Sequence, residues 1–173
     1  MHSQTEIPVR TKQERWRWLG YVGFALLGAL LTFAGARAQQ RASEQATFQK
    51  LINDYCSSWS SGSAENPAHL YAKDSGLVFY DVTPFAYRGW GEYREGVKKA
   101  FFNDNFESGK LTAGNDLKVT RRGTVAWTTV SMHLSVKNKD GKNLESDLRY
   151  TGIWERRGNA WVIVHEHLSA PLS

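Results

Sequence analysis

The stretch "GIWERRGNAWVIVHEHLSAP", residues 152–171, reads as two strands folded back on a tight turn. Gly158-Asn159 is the turn signal, and the aromatic and β-branched residues on either side are strand formers. Side chains alternate along a strand. Trp161, Ile163, His165, His167 and Ser169 therefore share one face, and Val162, Val164, Glu166 and Leu168 share the other. The second strand begins as a buried one and turns at Val164 into three titratable groups in a row. Which face looks inward decides what chemistry the hairpin can offer.

More strands precede the hairpin. "LTAGNDLKVT" and "TVAWTTVSMHLSV" meet near Arg122-Gly123, and Asp140-Gly141 is a two-residue hairpin signal before "NLESDLRYTGIWE". Helices come earlier. Phe48, Leu51, Ile52, Tyr55, Cys56 and Trp59 form one stripe of a helix from Ser43 to Ser60. Asn66-Pro67 starts a short second helix, "PAHLYA", on which His69 reads as a lone surface histidine. "LVFYDV" is a short strand and "TPFAYRGWG" a loop. A third helix is expected from about Glu92 to Ser108, with Phe106 extending its stripe. Helices first and an antiparallel meander last make an α+β fold, with three helices on one face of a curved sheet.

The order of elements and the residues Trp154, Arg156, Arg157, Gly158, Trp161, Ile163, Val164, His165, His167, Ser169 and Pro171 resemble the nuclear-transport-factor-2-like superfamily. Within it the chain is most similar to SnoaL-like and ketosteroid-isomerase-like proteins and to the association domain of calcium/calmodulin-dependent kinase. Phe79, Tyr80, Asp81, Pro84 and Gly89 fit the same pattern, and the resemblance covers about residues 44–172. It implies a cone: a bent sheet wrapped around the helices, with a pocket at the open end that takes small, often apolar molecules. The kinase association domain carries pocket arginines where this chain has Gly152 and Leu168, so its acidic-ligand site is not expected here.

The chain has 173 residues, enough for one domain, and a formal charge of +5. Much of that charge sits in a leader. Arg10, Lys12, Arg15 and Arg17 precede the apolar stretch from Trp18 to Ala36, and Ala36-Arg37-Ala38 follows as a small-x-small site. Residues 1–38 therefore read as a signal peptide or an N-terminal membrane anchor, and residues 39–173 as the cone domain. Either reading places the domain in the periplasm or outside the cell. Residues 1–38 hold five of the 22 basic and two of the 17 acidic residues, so the remainder carries only +2. No nucleic-acid partner is expected, and membrane contact is expected only through an uncleaved leader. The single cysteine, Cys56, rules out an internal disulfide and reads as a buried small hydrophobe.

Three explanations of His165-Glu166-His167 stay open. His-x-His offers two metal ligands, but a third must come from His133 or an isolated carboxylate, so no metal or other cofactor is expected. The histidines can be structural, bonded to neighbouring strands or at an interface. Alternatively they face the pocket with Asp147, Arg149 and Thr151, unless a bulge in the Arg156–Asn159 turn puts Glu166 there instead. The reading leans to the histidines, with His165 catalytic and His167, Arg149 and Thr151 on the ligand. Asp81 is the candidate carboxylate base, approached by apolar Leu77, Val78 and Phe79; the alternative is a turn residue capping the Thr83 or Phe85 amide. Tyr80, Trp90 and Trp127 are candidate aromatic walls.

The function expected is an exported module that binds a small, largely apolar molecule. It self-associates as a homodimer or larger homo-oligomer through the outer sheet face, where Trp154 or Trp161 would lie. A weak acid–base enzyme of the isomerase, cyclase or lyase type, and a purely structural assembly module, are the alternatives.

Overall fold

A computed structural model describes residues 12–171 apart from Thr83, with side chains described from Gly35 onward. The leader read over residues 1–38 lies almost wholly outside the described side chains. Among the described residues no helix is long and apolar enough to cross a membrane. The chain divides into two compact units, Met1–Ser43 and Glu44–Ser173, and the site lies in the second.

Helix α1 spans Lys12–Trp59, and a single 3-10 turn, Asn66–Leu70, stands where the short second helix was expected. Strands β1 (Val78–Phe79) and β2 (Tyr87–Arg88) form a small hairpin leading into helix α2 (Gly89–Phe101). Five antiparallel strands follow: β3 (Phe106–Ala113), β4 (Lys118–Arg122), β5 (Val125–Asn138), β6 (Leu144–Arg157) and β7 (Ala160–Ser169). Their order is β3-β5-β6-β7, with β4 also on β5, so β3 and β4 lie end to end along one long strand. This is the α+β fold expected, built among the described residues with two α-helices rather than three.

Three local differences have plain causes. Helix α2 stops at Phe101 because Asn103, Asp104 and Asn105 follow, all turn formers; the Asn105 amide donates to Asn103 Oδ1 at 2.9 Å. Phe106 thus belongs to a strand, not to the helical stripe. The "LTAGNDLKVT" run is broken by the turn between β3 and β4. The link from β5 to β6 takes residues 139–143 rather than two, since pairing resumes only at Val136 with Leu144.

The helices are held by the stripes that define them. Phe48, Ile52, Tyr55 and Trp59 of α1 and Trp90, Tyr93 and Val97 of α2 are buried against the inner sheet face. Phe48 meets the edge of Trp154 at 5.9 Å, and the Tyr55 ring packs on Tyr150 at 4.9 Å. Gly96 lets α2 approach the β1–β2 hairpin: a Cβ there would run into the buried Tyr87 ring. Gly96→Ala should lower stability by about 1–3 kcal/mol through this overpacking, less the ~1 kcal/mol that alanine gains as a helix former. Chemical denaturation of the two proteins checks it.

Candidate active site

The inward rows of the sheet can be read from the pairing. Ala126 lies beside Trp154 and Ile163, Thr128 beside Gly152 and Glu166, and Val130 beside Tyr150 and Leu168. Strand β7 does not alternate throughout. Ile153 pairs with His165 while Trp154 pairs with Ile163, so Val164 is an extra residue, a bulge. Trp161 and Ile163 face the helices, and after the bulge so do Glu166 and Leu168. The histidines turn outward. The lean toward inward histidines is therefore corrected: the carboxyl is the inner group, and the bulge sits at Val164 rather than in the Arg156–Asn159 turn.

Glu166 is completely buried. Three tyrosine hydroxyls from three separate segments converge on it. Tyr71 Oη, beyond the 3-10 turn, lies 2.9 Å from both carboxyl oxygens; Tyr55 Oη of α1 reaches Oε1 at 3.4 Å; and Tyr93 Oη of α2 bonds Oε1 closely. The Trp59 indole N–H donates to Tyr71 Oη at 3.1 Å, which aims the Tyr71 hydrogen at the carboxyl. Burial lifts the Glu166 carboxyl to about 8; the hydroxyls of Tyr93, Tyr71 and Tyr55 pull the other way, while the charge of Asp81 adds to the rise. A fourth tyrosine, Tyr150, is buried with its hydroxyl unpartnered among the described residues, curled over Gly152 beside Glu166. A side chain at position 152 would collide with it, which is why this row carries glycine.

A partly open cavity of about 70 Å³ lies next to this cluster. Its walls come from both helices and from β3, β5, β6 and β7, and are almost wholly apolar. Phe101, Phe102 and Phe106 form one end, while Tyr55 and Tyr93 mark the side toward Glu166. Asp81 lines the same pocket, half-buried, with the Val82 amide donating to Oδ1 at 2.7 Å. Burial raises its carboxyl to about 6, against the pull of that amide and of the Tyr93 hydroxyl. The capping expected at Thr83 or Phe85 is thus made at Val82, and Thr83 itself lies outside the described residues.

The other expected site residues lie elsewhere. Arg149, Thr151 and His167 point to the outer sheet face with Asp147, where His133 bonds Asp147 at 2.8 Å and Glu145 at 2.9 Å. His165, also on the outer side, is tied to the Val78 carbonyl through Nδ1 at 2.7 Å. Tyr80 packs edge-on against His165 and His167, 37% exposed. Trp90 is core, stacked on Tyr71 at 4.5 Å, and Trp127 is on the outer face. His69 is not alone, since Asp54 and the Asn66 carbonyl hold its two nitrogens at 2.9 Å. Among the described residues no group of three or more His, Cys, Asp or Glu is placed to hold a metal. Burial pushes the Cys56 thiol up to about 12, so it stays protonated.

Tyr55, Tyr71 and Tyr93 were legible only as helix-face residues. The signal available was their hydroxyls: an apolar stripe that carries tyrosine where phenylalanine would serve needs a polar partner inside.

The SnoaL-like domain family matches residues 49–173. No curated protein matches the chain. Among solved structures, a nuclear transport factor 2-like superfamily protein from Salmonella enterica superposes with a TM-score of 0.68 at 19% identity, covering 77% of this chain and 94% of that one. A candidate scytalone dehydratase from Novosphingobium aromaticivorans gives 0.67 at 12% identity, covering 76% and 87%. A type 2 hexachlorocyclohexane dehydrochlorinase gives 0.63 at 12% identity, covering 76% and 88%.

Proposed function

Because the chain belongs to the SnoaL-like domain family, we propose that its pocket binds a small, largely apolar molecule and that Asp81 exchanges a proton with it. The observation behind this is one half-buried carboxyl on the wall of an otherwise apolar cavity, lifted to about 6. Such a group is ionised at neutral pH yet basic enough to take a proton from carbon or oxygen. Two of the structural neighbours carry the names of eliminations, the loss of water and of hydrogen chloride. In that chemistry Asp81 takes the proton, the C–H electron pair becomes the new double bond, and the leaving group departs with its own pair. The basic, apolar and small-residue pattern of residues 1–38 supports export of the domain.

A thermal-shift screen of metabolites against the full chain finds the ligand: at a hundred times its Kd a binder adds about 2.7 kcal/mol. Asp81→Asn should leave binding within a few-fold and lower turnover of that ligand by about a hundredfold or more. Unchanged turnover ends the catalytic reading, and unchanged melting across the screen ends the binding one.

We also propose that two copies pair through the outer sheet face. Trp154 is core and Trp161 packs on Phe48 at 5.1 Å, so the tryptophan on that face is Trp127, 38% exposed beside Val125. Apolar patches of this kind are seldom left bare. Trp127→Glu should convert a dimer to monomer in sedimentation velocity; a monomeric parent protein removes the proposal.

A further inference from the structure

The polar groups on the pocket wall are few, and nearly all are already engaged elsewhere. Tyr55 and Tyr93 line the cavity, but their hydroxyls turn to Glu166. Trp59 lines it too, and its indole N–H is given to Tyr71 Oη at 3.1 Å. The strand backbone on the wall is paired, Gly109 with Val136 and Leu111 with Leu134. Lys110 stands between them with an exposed side chain, opposite Ser135, whose hydroxyl bonds Glu145 at 2.7 Å on the outer sheet face. The Asp81 carboxyl is left. Its Oδ1 accepts the Val82 amide at 2.7 Å, and among the described residues no lysine, arginine or histidine forms an ion pair with it.

A carboxylate accepts hydrogen bonds and gives none. Among the described side chains the pocket therefore offers one anionic acceptor and no free donor. A ligand ending in a carboxylate, a phosphate or a carbonyl would bring a second acceptor to it. A ligand ending in an ammonium brings donors and the missing countercharge. The remaining wall suits the same ligand, because aromatic rings attract a cation that has left water. Tyr55, Trp59 and Tyr93 adjoin, with centroids 6.4 and 5.6 Å apart, and at the far end Phe102 meets Phe106 edge-on at 5.1 Å, with Phe101 on the same wall.

We infer that the pocket takes a small organic cation, an amine with an apolar body of a few carbon atoms, its ammonium group on Asp81 and its body among the six aromatic rings. The size follows from the cavity volume of about 70 Å³. Asp81, raised only to about 6, is ionised at neutral pH and is held so by the bound charge. The inference rests on the binding half of the proposed function and makes no use of turnover.

Three probes with one apolar body test it: 3-methylbutylammonium, 3-methylbutan-1-ol and 3-methylbutanoate, titrated into the full chain at neutral pH and followed by NMR chemical shifts. The cation should bind about tenfold more tightly than the alcohol, from the ring attraction and the ion pair together, and the carboxylate should bind weakest. Asp81→Asn should weaken the cation a few-fold, the share of a partly exposed ion pair, and should tighten the carboxylate. An alcohol or carboxylate that binds the parent protein as tightly as the cation overturns the inference while leaving the binding reading intact. Cation affinity unchanged in Asp81→Asn overturns it too. If none of the three binds, the inference falls, and the wider metabolite screen alone judges the pocket. The comparison within the parent protein decides even if the variant does not fold.

Discussion

Glu166→Gln should leave the protein nearly as stable as its parent at pH 5 and clearly more stable at pH 9. The sign follows from proton binding in the two states. An unfolded glutamate releases its proton at 4.5, whereas the folded one holds it to about 8. Across that window the folded state binds more protons than the unfolded state, so the parent loses stability as pH rises, by up to about 1.4 kcal/mol per unit. The contribution is complete below 4.5 and gone above about 8. Glutamine does not ionise and is spared the loss, and its amide still offers the tyrosines an acceptor. Asp81, also raised, slopes the same way from 3.8 to about 6 in both proteins. The difference between them therefore reports Glu166 alone and, at that slope across the window from 4.5 to about 8, should approach about 5 kcal/mol by pH 9. Urea titrations at three pH values measure it; parallel pH profiles for the two proteins would rule out a proton held by Glu166.

The second large effect is expected at Trp154. It is fully buried on β6, with its indole N–H donating to Thr128 Oγ1 at 2.9 Å and Phe48 against its edge. Trp154→Ala should cost about 3–5 kcal/mol, since a large cavity opens and the buried Thr128 loses its donor. Trp154→Phe keeps most of the volume and should cost about half as much. Denaturation midpoints distinguish this from the interface role expected of the residue, in which alanine would weaken pairing and leave the single chain stable.

Trp154 also explains where the sequence was readable. Its neighbours across the ladder, Ala126 and Thr128, are small because the indole lies over them, and Trp127 between them is pushed outside. Trp127 was read as a candidate wall of the pocket because hydrophobicity alone assigned the larger side chain to the interior. The turns expected near Arg122-Gly123 and at Gly158-Asn159 were legible because their chemistry is local, with both glycines at positive φ. The end of α2 was missed although Asn103-Asp104-Asn105 marked it, because Phe106 happened to prolong the aromatic spacing. Asp81 was found on the pocket wall from its apolar approach. The tyrosine cluster was not, because its members are far apart in the chain and meet only when helices and sheet pack.

The extra residue at Val164 works like a frameshift in a two-letter code. A strand offers its residues alternately to two environments, so one added position exchanges which set goes where for everything downstream. With a regular ladder the same letters, His165-Glu166-His167, would present two imidazoles to the cone and expose the carboxyl. The acid–base character of this interior is therefore set by the count of residues between Trp161 and Glu166 as much as by their identity. A relative that differed here by a single insertion or deletion would carry different chemistry in an unchanged fold.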